Sequence, residues 1–164
     1  MDIMVRQALI SDAGGIAAIL RELGWFDYID REAEQDTEAR TVERLQLTRK
    51  GTSHSVYVAE GDDGRVMGYA AVHWLPYLLL QGLEGFISEL FIREADRRHG
   101  VGSLLLETIK EDALQKGCSR LMLINLHKRE SYHRQFYIKQ GWEEREMTAN
   151  FVLDLTSTTN SNQK

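Results

Sequence analysis

The chain has one cysteine and one proline among its 164 residues, and each scarcity narrows what it can be. Cys118 cannot form an internal disulfide, and no second thiol is available for a cysteine-based metal site. Because Cys118 begins an apolar segment, we expect a buried, unreactive thiol. Pro76 lies in a connection, and no linker or internal repeat divides the chain. The sequence therefore predicts a single domain over residues 1–155, large enough for a sizeable core.

Long hydrophobic runs and an excess of basic residues are also missing. The most apolar loop, residues 75–83, is too short to span a bilayer. The net charge of −5 argues against a nucleic-acid partner and is compatible with a cationic amine substrate. The N-terminus has no signal-peptide pattern, so we expect a cytoplasmic protein. Residues 156–164 are polar and are predicted to form a disordered tail.

Hydrophobic periodicity predicts an α+β protein with the element order β-α-α-β-β-β-α-β-α-β. A hairpin-rich first half and a βαβ second half predict a mixed, mostly antiparallel central sheet flanked by helices. The predicted strands are residues 3–9, 55–59, 65–74, 86–92, 119–126 and 142–155. The predicted helices are residues 13–23, with Ser11 and Asp12 as caps, 32–49, 101–116 and 130–140. An aromatic-rich connection, residues 25–30, is predicted either to plug the core or to line a pocket.

Residues 86–117 form the segment around which the chain is organised. An apolar strand leads into a turn that contains Gly100 and Gly102, and an amphipathic helix follows. A helix N-terminus with such a turn presents free N–H groups and the positive dipole end to an anion such as phosphate. Two nucleotide motifs fit poorly. No lysine follows Gly102 as a P-loop requires, and Leu105 occupies the third glycine position of the dinucleotide fingerprint.

Three ordered motifs together resemble the GNAT superfamily of N-acetyltransferases. They are Glu89-Leu90-Phe91-Ile92, Arg97-x-x-Gly100-x-Gly102, and Phe136-Tyr137-x-x-x-Gly141-Trp142. The resemblance covers residues 3–155 and implies the GNAT fold. It also implies acetyl-CoA as co-substrate, no metal, and direct attack of a primary amine on the thioester in a ternary complex.

The resemblance further implies which residues hold acetyl-CoA. Backbone amides of the loop wrap the pyrophosphate, and the strand before it splays at a bulge and pairs with the pantetheine arm. The implied cofactor residues are Leu90, Phe91, Ile92, Arg97, Arg98, His99, Gly100, Val101, Gly102, Ser103, Asn125 and Tyr137. Two points stay open. The arginines could instead form a solvated basic patch. Many relatives have an asparagine where this chain has Glu130, and Asn125 is a candidate replacement.

Tyr137 matches the family tyrosine near the CoA sulfur, which implies a general acid for the departing thiolate. Its alternative is a core aromatic. On an ideal helix Phe136 shares a face with Tyr132 and Gln140, so Tyr137 points elsewhere. The base is less clear. Glu89 is the first candidate, although Ser88 occupies the position where several relatives carry the carboxylate. Strand alternation turns Glu89 to the opposite face unless a bulge reorients it.

Further candidate bases are Glu84, His73, Asp27, His133 and a water chain. The acidic residues Asp27, Asp30 and Glu84 favour a cationic small-molecule amine. The motifs of zinc hydrolases and serine esterases are absent from the sequence. The alternatives to an enzyme are an acetyl-CoA-binding sensor or degenerate module, and a structural domain that keeps only the scaffold. Homodimers are frequent in the superfamily, so the resemblance is compatible with either a monomer or a homodimer.

Overall fold

The computed structural model describes residues 2–155, and the predicted tail at 156–164 lies outside the described residues. The chain divides into two compact units, with the boundary between Ile124 and Asn125. The prediction of one domain over residues 1–155 stays a prediction.

A five-stranded sheet forms the framework of the first unit, in the order β1-β2-β3-β4-β5. β1 to β4 are antiparallel, and β5 runs parallel to β4. The strands are β1 (Ile3–Gln7), β2 (His54–Gly61), β3 (Val66–Leu75), β4 (Leu83–Ile92) and β5 (Cys118–Leu123). The α+β class and the mostly antiparallel sheet are therefore confirmed.

Three helices connect β1 to β2: α1 (Ala13–Leu23), α2 (Asp27–Arg31) and α3 (Glu34–Thr48). The short helix α2 corrects the sequence prediction of a connection without helix at residues 25–30. α1 and α3 pack on one face of the sheet. Their buried cluster is Ala13, Ile16, Ile19, Leu45, Val58, Val66 and Tyr69. Each fully buried aliphatic side chain of this kind contributes roughly 1.5–3 kcal/mol to stability.

The sequence predicted that Asp12 caps α1, and this prediction is wrong. No side chain caps the first turn of that helix. The Asp12 carboxylate instead accepts two hydrogen bonds from Arg6, at 2.7 and 2.9 Å, and one from the Leu9 N–H at 2.7 Å. The positively charged guanidinium of Arg6, in the preceding strand, binds this carboxylate with two N–H groups and therefore outcompetes the helix for it.

Helix α4 (Val101–Gln115) packs on the opposite face of the sheet and ends before Gly117, as predicted. Its buried residues are Val101, Leu105, Leu106, Ile109 and Ala113. Leu104 and Leu114, on the same helix, are 43% and 68% exposed. The apolar face that contacts the sheet is therefore narrow.

Strand β4 carries a bulge and then separates from β5. Its partner β3 pairs Ala71 with Glu89 but Val72 with Ile87, so Ser88 has no partner across the ladder. The parallel pairing with β5 ends at Ile87 and Leu123. In the part of the chain that the structure describes, the β4 backbone beyond Ile87 has no strand partner on the β5 side. The bulge that the family resemblance implied is therefore present, and the pairing of β4 with β5 ends beside it.

The second unit contains α5 (Glu130–His133) and α6 (Phe136–Lys139) in place of the single helix predicted for 130–140. Gln135 lies between them in the left-handed region, with φ 53°, and this conformation interrupts the helical ladder. The helical-face argument for Phe136, Tyr132 and Gln140 therefore does not hold.

The strand predicted for residues 142–155 is also wrong, since no strand is assigned among the described residues of this unit. A turn, in which the Thr148 N–H donates to the Arg145 carbonyl, interrupts the segment. An apolar pattern forms a strand only where a neighbouring strand completes its hydrogen bonds.

Candidate active site

The loop before α4 has the geometry of an anion-binding turn. Gly100 is the N-cap of α4 and has φ 85°, a left-handed conformation that glycine adopts without steric cost. The first intrahelical bond runs from the Leu104 N–H to the Gly100 carbonyl. The N–H groups of Val101 and Gly102 precede this bond, so the helix itself offers them no acceptor. They are available to an anion at the positive end of the helix.

An ion pair between the exposed Arg65 and the buried Asp96 anchors the chain just before this loop. Arg65 donates to both oxygens of Asp96, at 2.7 and 2.9 Å, and Asp96 is only 4% exposed. Arg97 is half-buried, and its Nε lies 3.3 Å from the Ile92 carbonyl oxygen. Arg98 and His99 are exposed, and Arg98 adopts a left-handed φ of 69°. The loop therefore places positive side chains around its amides.

The side chains of Leu90, Phe91 and Ile92 are half-buried. Phe91 packs edge-to-face on Trp25 and Tyr69, with ring centroids 5.6 and 5.8 Å apart. On the β5 side, the β4 backbone beyond Ile87 has no strand partner among the described residues. Trp25 and Tyr28, from the aromatic-rich segment, stay 41% and 60% exposed.

The bulge turns Glu89 to the sheet face that carries Tyr69. The Tyr69 hydroxyl donates to Glu89 Oε2 at 2.6 Å. Burial, followed by the charge of Glu89, raises the pKa of Tyr69 well above its ordinary value. Tyr69 therefore stays a proton donor to this carboxylate. The sequence did not single out Tyr69, because its place in an apolar strand indicates only core packing.

Three other predicted candidates for the base lie in different environments. Glu84 is fully buried and its Oε2 accepts a short hydrogen bond from Arg120. Its Oε1 is buried and has no hydrogen-bond partner within residues 2–155. Asp27 is 90% exposed and lies 3.8 Å from Arg31. His133, in the second unit, is exposed.

His73, the remaining titratable candidate, lies beside the bulge. Its Nε2 is 3.1 Å from the Ser88 hydroxyl oxygen. The ring stacks on His54 of β2, with centroids 5.5 Å apart, and approaches Phe86 at 6.5 Å. His73 was named from the sequence only as one candidate base among several, and its link to Ser88 depends on the strand register.

Tyr137, in the second unit, is half-buried. Burial raises the pKa of its phenol to about 12, so the hydroxyl is protonated at neutral pH. Its ring lies 5.0 Å from the Phe136 ring and 6.0 Å from the Trp142 ring, both edge-to-face. Between residues 2 and 155 the hydroxyl has no hydrogen-bond partner, which leaves it available to a ligand.

Asn125 and Glu130, the two candidates for the missing cofactor asparagine, make local contacts. The Ser131 hydroxyl donates to Asn125 Oδ1 at 3.1 Å. Glu130 lies 3.5 Å from Arg134 one turn later, and both side chains are about half exposed. Neither contact decides between the two residues.

No group of three or more His, Cys, Asp or Glu side chains between residues 2 and 155 is arranged to hold a metal ion. None of the helices in that range combines the length and the apolar character needed to cross a bilayer.

Comparison with known proteins gives consistent results. The model of the acetyltransferase (GNAT) family matches residues 18–142. Thialysine N-epsilon-acetyltransferase from Bos taurus is 27% identical over 128 residues, covering 74% of this chain and 73% of the relative. The Mus musculus protein of that name is 24% identical over 130 residues, covering 73% and 72%.

Solved structures share the fold. A transcriptional regulator from Bacillus halodurans has a TM-score of 0.80 at 21% identity, covering 93% of this chain and all of that one. Glucosamine-6-phosphate N-acetyltransferase from Arabidopsis thaliana has a TM-score of 0.73 at 18% identity, covering 94% of this chain and all of that one. At these identities the likeness concerns the fold alone.

Proposed function

We propose that this chain, which belongs to the acetyltransferase (GNAT) family, transfers the acetyl group of acetyl-CoA to a primary amine of a small cationic molecule. The amine attacks the thioester directly in a ternary complex. The observation that carries the proposal is the continuous segment in which a bulged, splayed β4 leads into the left-handed Gly100 turn and α4. Acetyl-CoA needs both parts, an anion site for its pyrophosphate and an open strand edge for its pantetheine arm.

The pyrophosphate is assigned to the N-terminus of α4. Loop residues from Arg98 to Ser103 supply backbone amides, and glycine at positions 100 and 102 lets the backbone approach closely. Arg97 and Arg98 contribute positive charge, and His99 lies beside them in the loop. The ion pair from Arg65 to the buried Asp96 supports this role, because it holds the chain in place just before the loop.

The pantetheine arm is assigned to the β4 backbone at Leu90, Phe91 and Ile92. Beyond Ile87 this backbone has no β5 partner among the described residues, so its polar groups need another partner. One of these N–H groups is proposed to donate to the thioester oxygen. Such a donor stabilises the negative charge that develops there as the amine attacks.

Tyr137 is proposed as the general acid for the departing thiolate. Its raised pKa of about 12 supports this role, since the phenol keeps its proton at neutral and mildly alkaline pH. The absence of a hydroxyl partner among residues 2–155 is a second support. Asn125 stays assigned to acetyl-CoA as a proposal.

Glu89 is proposed to act on the acceptor amine, either as its base or as the charge that holds it. Its carboxylate accepts only one hydrogen bond, from Tyr69, in the described part of the chain. Asp27 and Asp30 lie exposed on α2 and favour a cationic acceptor. The curated relatives are named for the ε-amine of thialysine, an amino acid whose side chain is similar in shape to that of lysine. A lysine-like primary amine is therefore the first acceptor class to test.

The proposal is tested in two steps. Acetyl-CoA should raise the melting temperature, because a ligand of the native state stabilises it by mass action. Thiol release from acetyl-CoA is then measured with thialysine, lysine, a polyamine, an aminoglycoside and an N-terminal peptide, against a reaction without amine. We expect release that depends on at least one of these amines.

Two other outcomes would contradict the proposal. An unchanged melting temperature at saturating acetyl-CoA would remove the cofactor assignment. A clear shift without turnover on any amine would favour the alternative of an acetyl-CoA-binding sensor.

A further inference from the structure

The bulge on β4 brings a serine and a histidine together on the sheet face that also carries Glu89. Ser88 is exposed, and its Oγ lies 3.1 Å from His73 Nε2 and 3.5 Å from the Ala71 carbonyl oxygen. A hydroxyl has one proton to donate, and the shorter contact is the better hydrogen bond. The geometry therefore favours a Ser88 hydroxyl that donates to an unprotonated His73 Nε2.

His73 is placed to remain neutral until it receives a proton. Within residues 2–155, the titratable groups that act on it are His54, stacked from β2, and Glu89 on β4. Burial is the main cause that lowers the pKa of His73 below its ordinary 6.5. His54 lowers the pKa further and Glu89 opposes the change. At neutral pH the imidazole is therefore an acceptor, and Ser88 gives it contact with the exposed surface.

We propose that Ser88 and His73 form the relay that removes the proton from the acceptor amine. This inference rests on the proposed function, which places the thioester along β4 beyond Ile87. Ser88 is the first residue of that stretch, at the point where β4 leaves β5. Because Ser88 is exposed and His73 is half-buried, an amine that attacks the thioester there meets the serine first.

The proton transfers balance. As the neutral amine nitrogen bonds to the carbonyl carbon, it gives one proton to Ser88 Oγ, and the Ser88 hydroxyl proton passes to His73 Nε2. The imidazolium returns that proton to water. The bond from carbon to sulfur breaks, and the thiolate takes the phenol proton of Tyr137, which water then replaces. The products are an amide and a thiol. Glu89, on the same face, attracts the cationic acceptor.

The relay is tested with His73→Gln, Ser88→Ala and the double variant. Glutamine can still accept the Ser88 hydrogen bond but cannot take up the proton. Each single variant should lower kcat at neutral pH by about tenfold or more, because a positioned general base typically contributes about 10²- to 10⁴-fold. The double variant should be no slower than the slower single variant, because residues of one relay are not additive. The KM for acetyl-CoA should stay unchanged.

The pH profile separates a relay from a structural role. The wild-type kcat should fall at acid pH as His73 becomes protonated, with an apparent pKa below 6.5. This inflection should disappear in His73→Gln. Ser53→Ala is the matched control, because Ser53 Oγ lies 3.0 Å from His54 Nδ1 and makes the equivalent contact on the other ring. We expect this control to keep the wild-type rate and profile.

Different results overturn different claims. If wild-type protein releases no thiol with any amine, the proposed function fails and the relay with it. If wild-type protein turns over and His73→Gln keeps its rate and acid inflection, only the relay is overturned. Additive losses in the double variant would also overturn it. Ser88→Ala changes an exposed side chain, so it provides the test even if His73→Gln folds poorly.

Discussion

At the scale of single residues, Tyr137 and Glu89 differ in what holds them. Glu89 accepts a hydrogen bond from the buried Tyr69 hydroxyl, and this contact fixes one carboxylate oxygen. The Tyr137 ring is positioned by edge-to-face contacts with the rings of Phe136 and Trp142, while its hydroxyl has no hydrogen-bond partner among residues 2–155. A hydroxyl without a structural partner contributes little to folding, and its removal should affect chemistry alone.

Tyr137→Phe should lower kcat by about tenfold or more, since general-acid assistance is typically worth at least that much. The acetyl-CoA affinity and the melting temperature should stay nearly unchanged. Initial rates and thermal denaturation of the purified variant check both expectations. Tyr132→Phe is the control, because its hydroxyl donates to Glu144 at 3.1 and 3.2 Å but has no proposed chemical role.

A different result would reassign Tyr137. If Tyr137→Phe keeps full turnover but melts at a much lower temperature, the hydroxyl satisfies a buried partner in the folded protein. The thiolate would then take its proton from water or from another side chain.

At the scale of elements, the strand–turn–helix segment depends on glycine at two positions for two reasons. Gly100 needs its left-handed φ of 85° to start α4. Gly102 lies within the first turn of α4, where valine also fits the backbone. A side chain at position 102 would therefore obstruct the approach of a ligand without disrupting the helix.

Gly102→Val should abolish the increase in melting temperature that acetyl-CoA causes, and leave the melting temperature of the free protein nearly unchanged. Valine and glycine differ by only a few tenths of a kcal/mol in helix propensity. Glu111→Val, an exposed change on the same helix, is the control and should keep the ligand response. A normal acetyl-CoA shift in Gly102→Val would remove the N-terminus of α4 from the binding site.

At the scale of the whole molecule, charged networks tie elements that are distant in sequence. Glu32 follows α2 and accepts hydrogen bonds from Arg40, at 2.5 and 2.6 Å, and from Thr37 at 2.7 Å, both on α3. Arg21 on α1 donates to the Glu32 carbonyl at 3.1 Å. Arg40, and then Thr37, lower the pKa of Glu32 from 4.5 to about 2. The network joins the three helices on one face of the sheet.

Stability should therefore fall in acid. Because the folded pKa of Glu32 lies below the unfolded value, its contribution is complete above pH 4.5 and is lost as the pH falls through about 2. Urea denaturation at several pH values should show Glu32→Gln less stable than wild type near pH 6. The difference should close as the pH approaches 2. A difference that stays constant with pH would show that the loss is not electrostatic.

The local patterns of the sequence predicted the fold class and the organising segment. The spacing of apolar residues in α1 and α4, and the glycines that end them, depend on chemistry within a few residues. The succession of β4, the Gly100 turn and α4 could also be predicted, because it too depends on residues close together in sequence. The last helix was less well predicted, because the left-handed Gln135 interrupts a pattern that otherwise favours a continuous helix. The aromatic-rich segment contains the short helix α2, which its sequence pattern did not indicate.

The tertiary structure decided which side chains meet at the bulge. Tyr69 and Glu89 are 20 residues apart in sequence, and His73 and Ser88 are 15 apart. Their contacts follow from the register of β3 on β4, and a shift of one residue would turn each side chain to the other face. Asp12 likewise pairs with Arg6 and not with the helix beside it, because the strand brings a stronger donor closer. Local sequence determines which residues can act, and long-range pairing determines which of them act together.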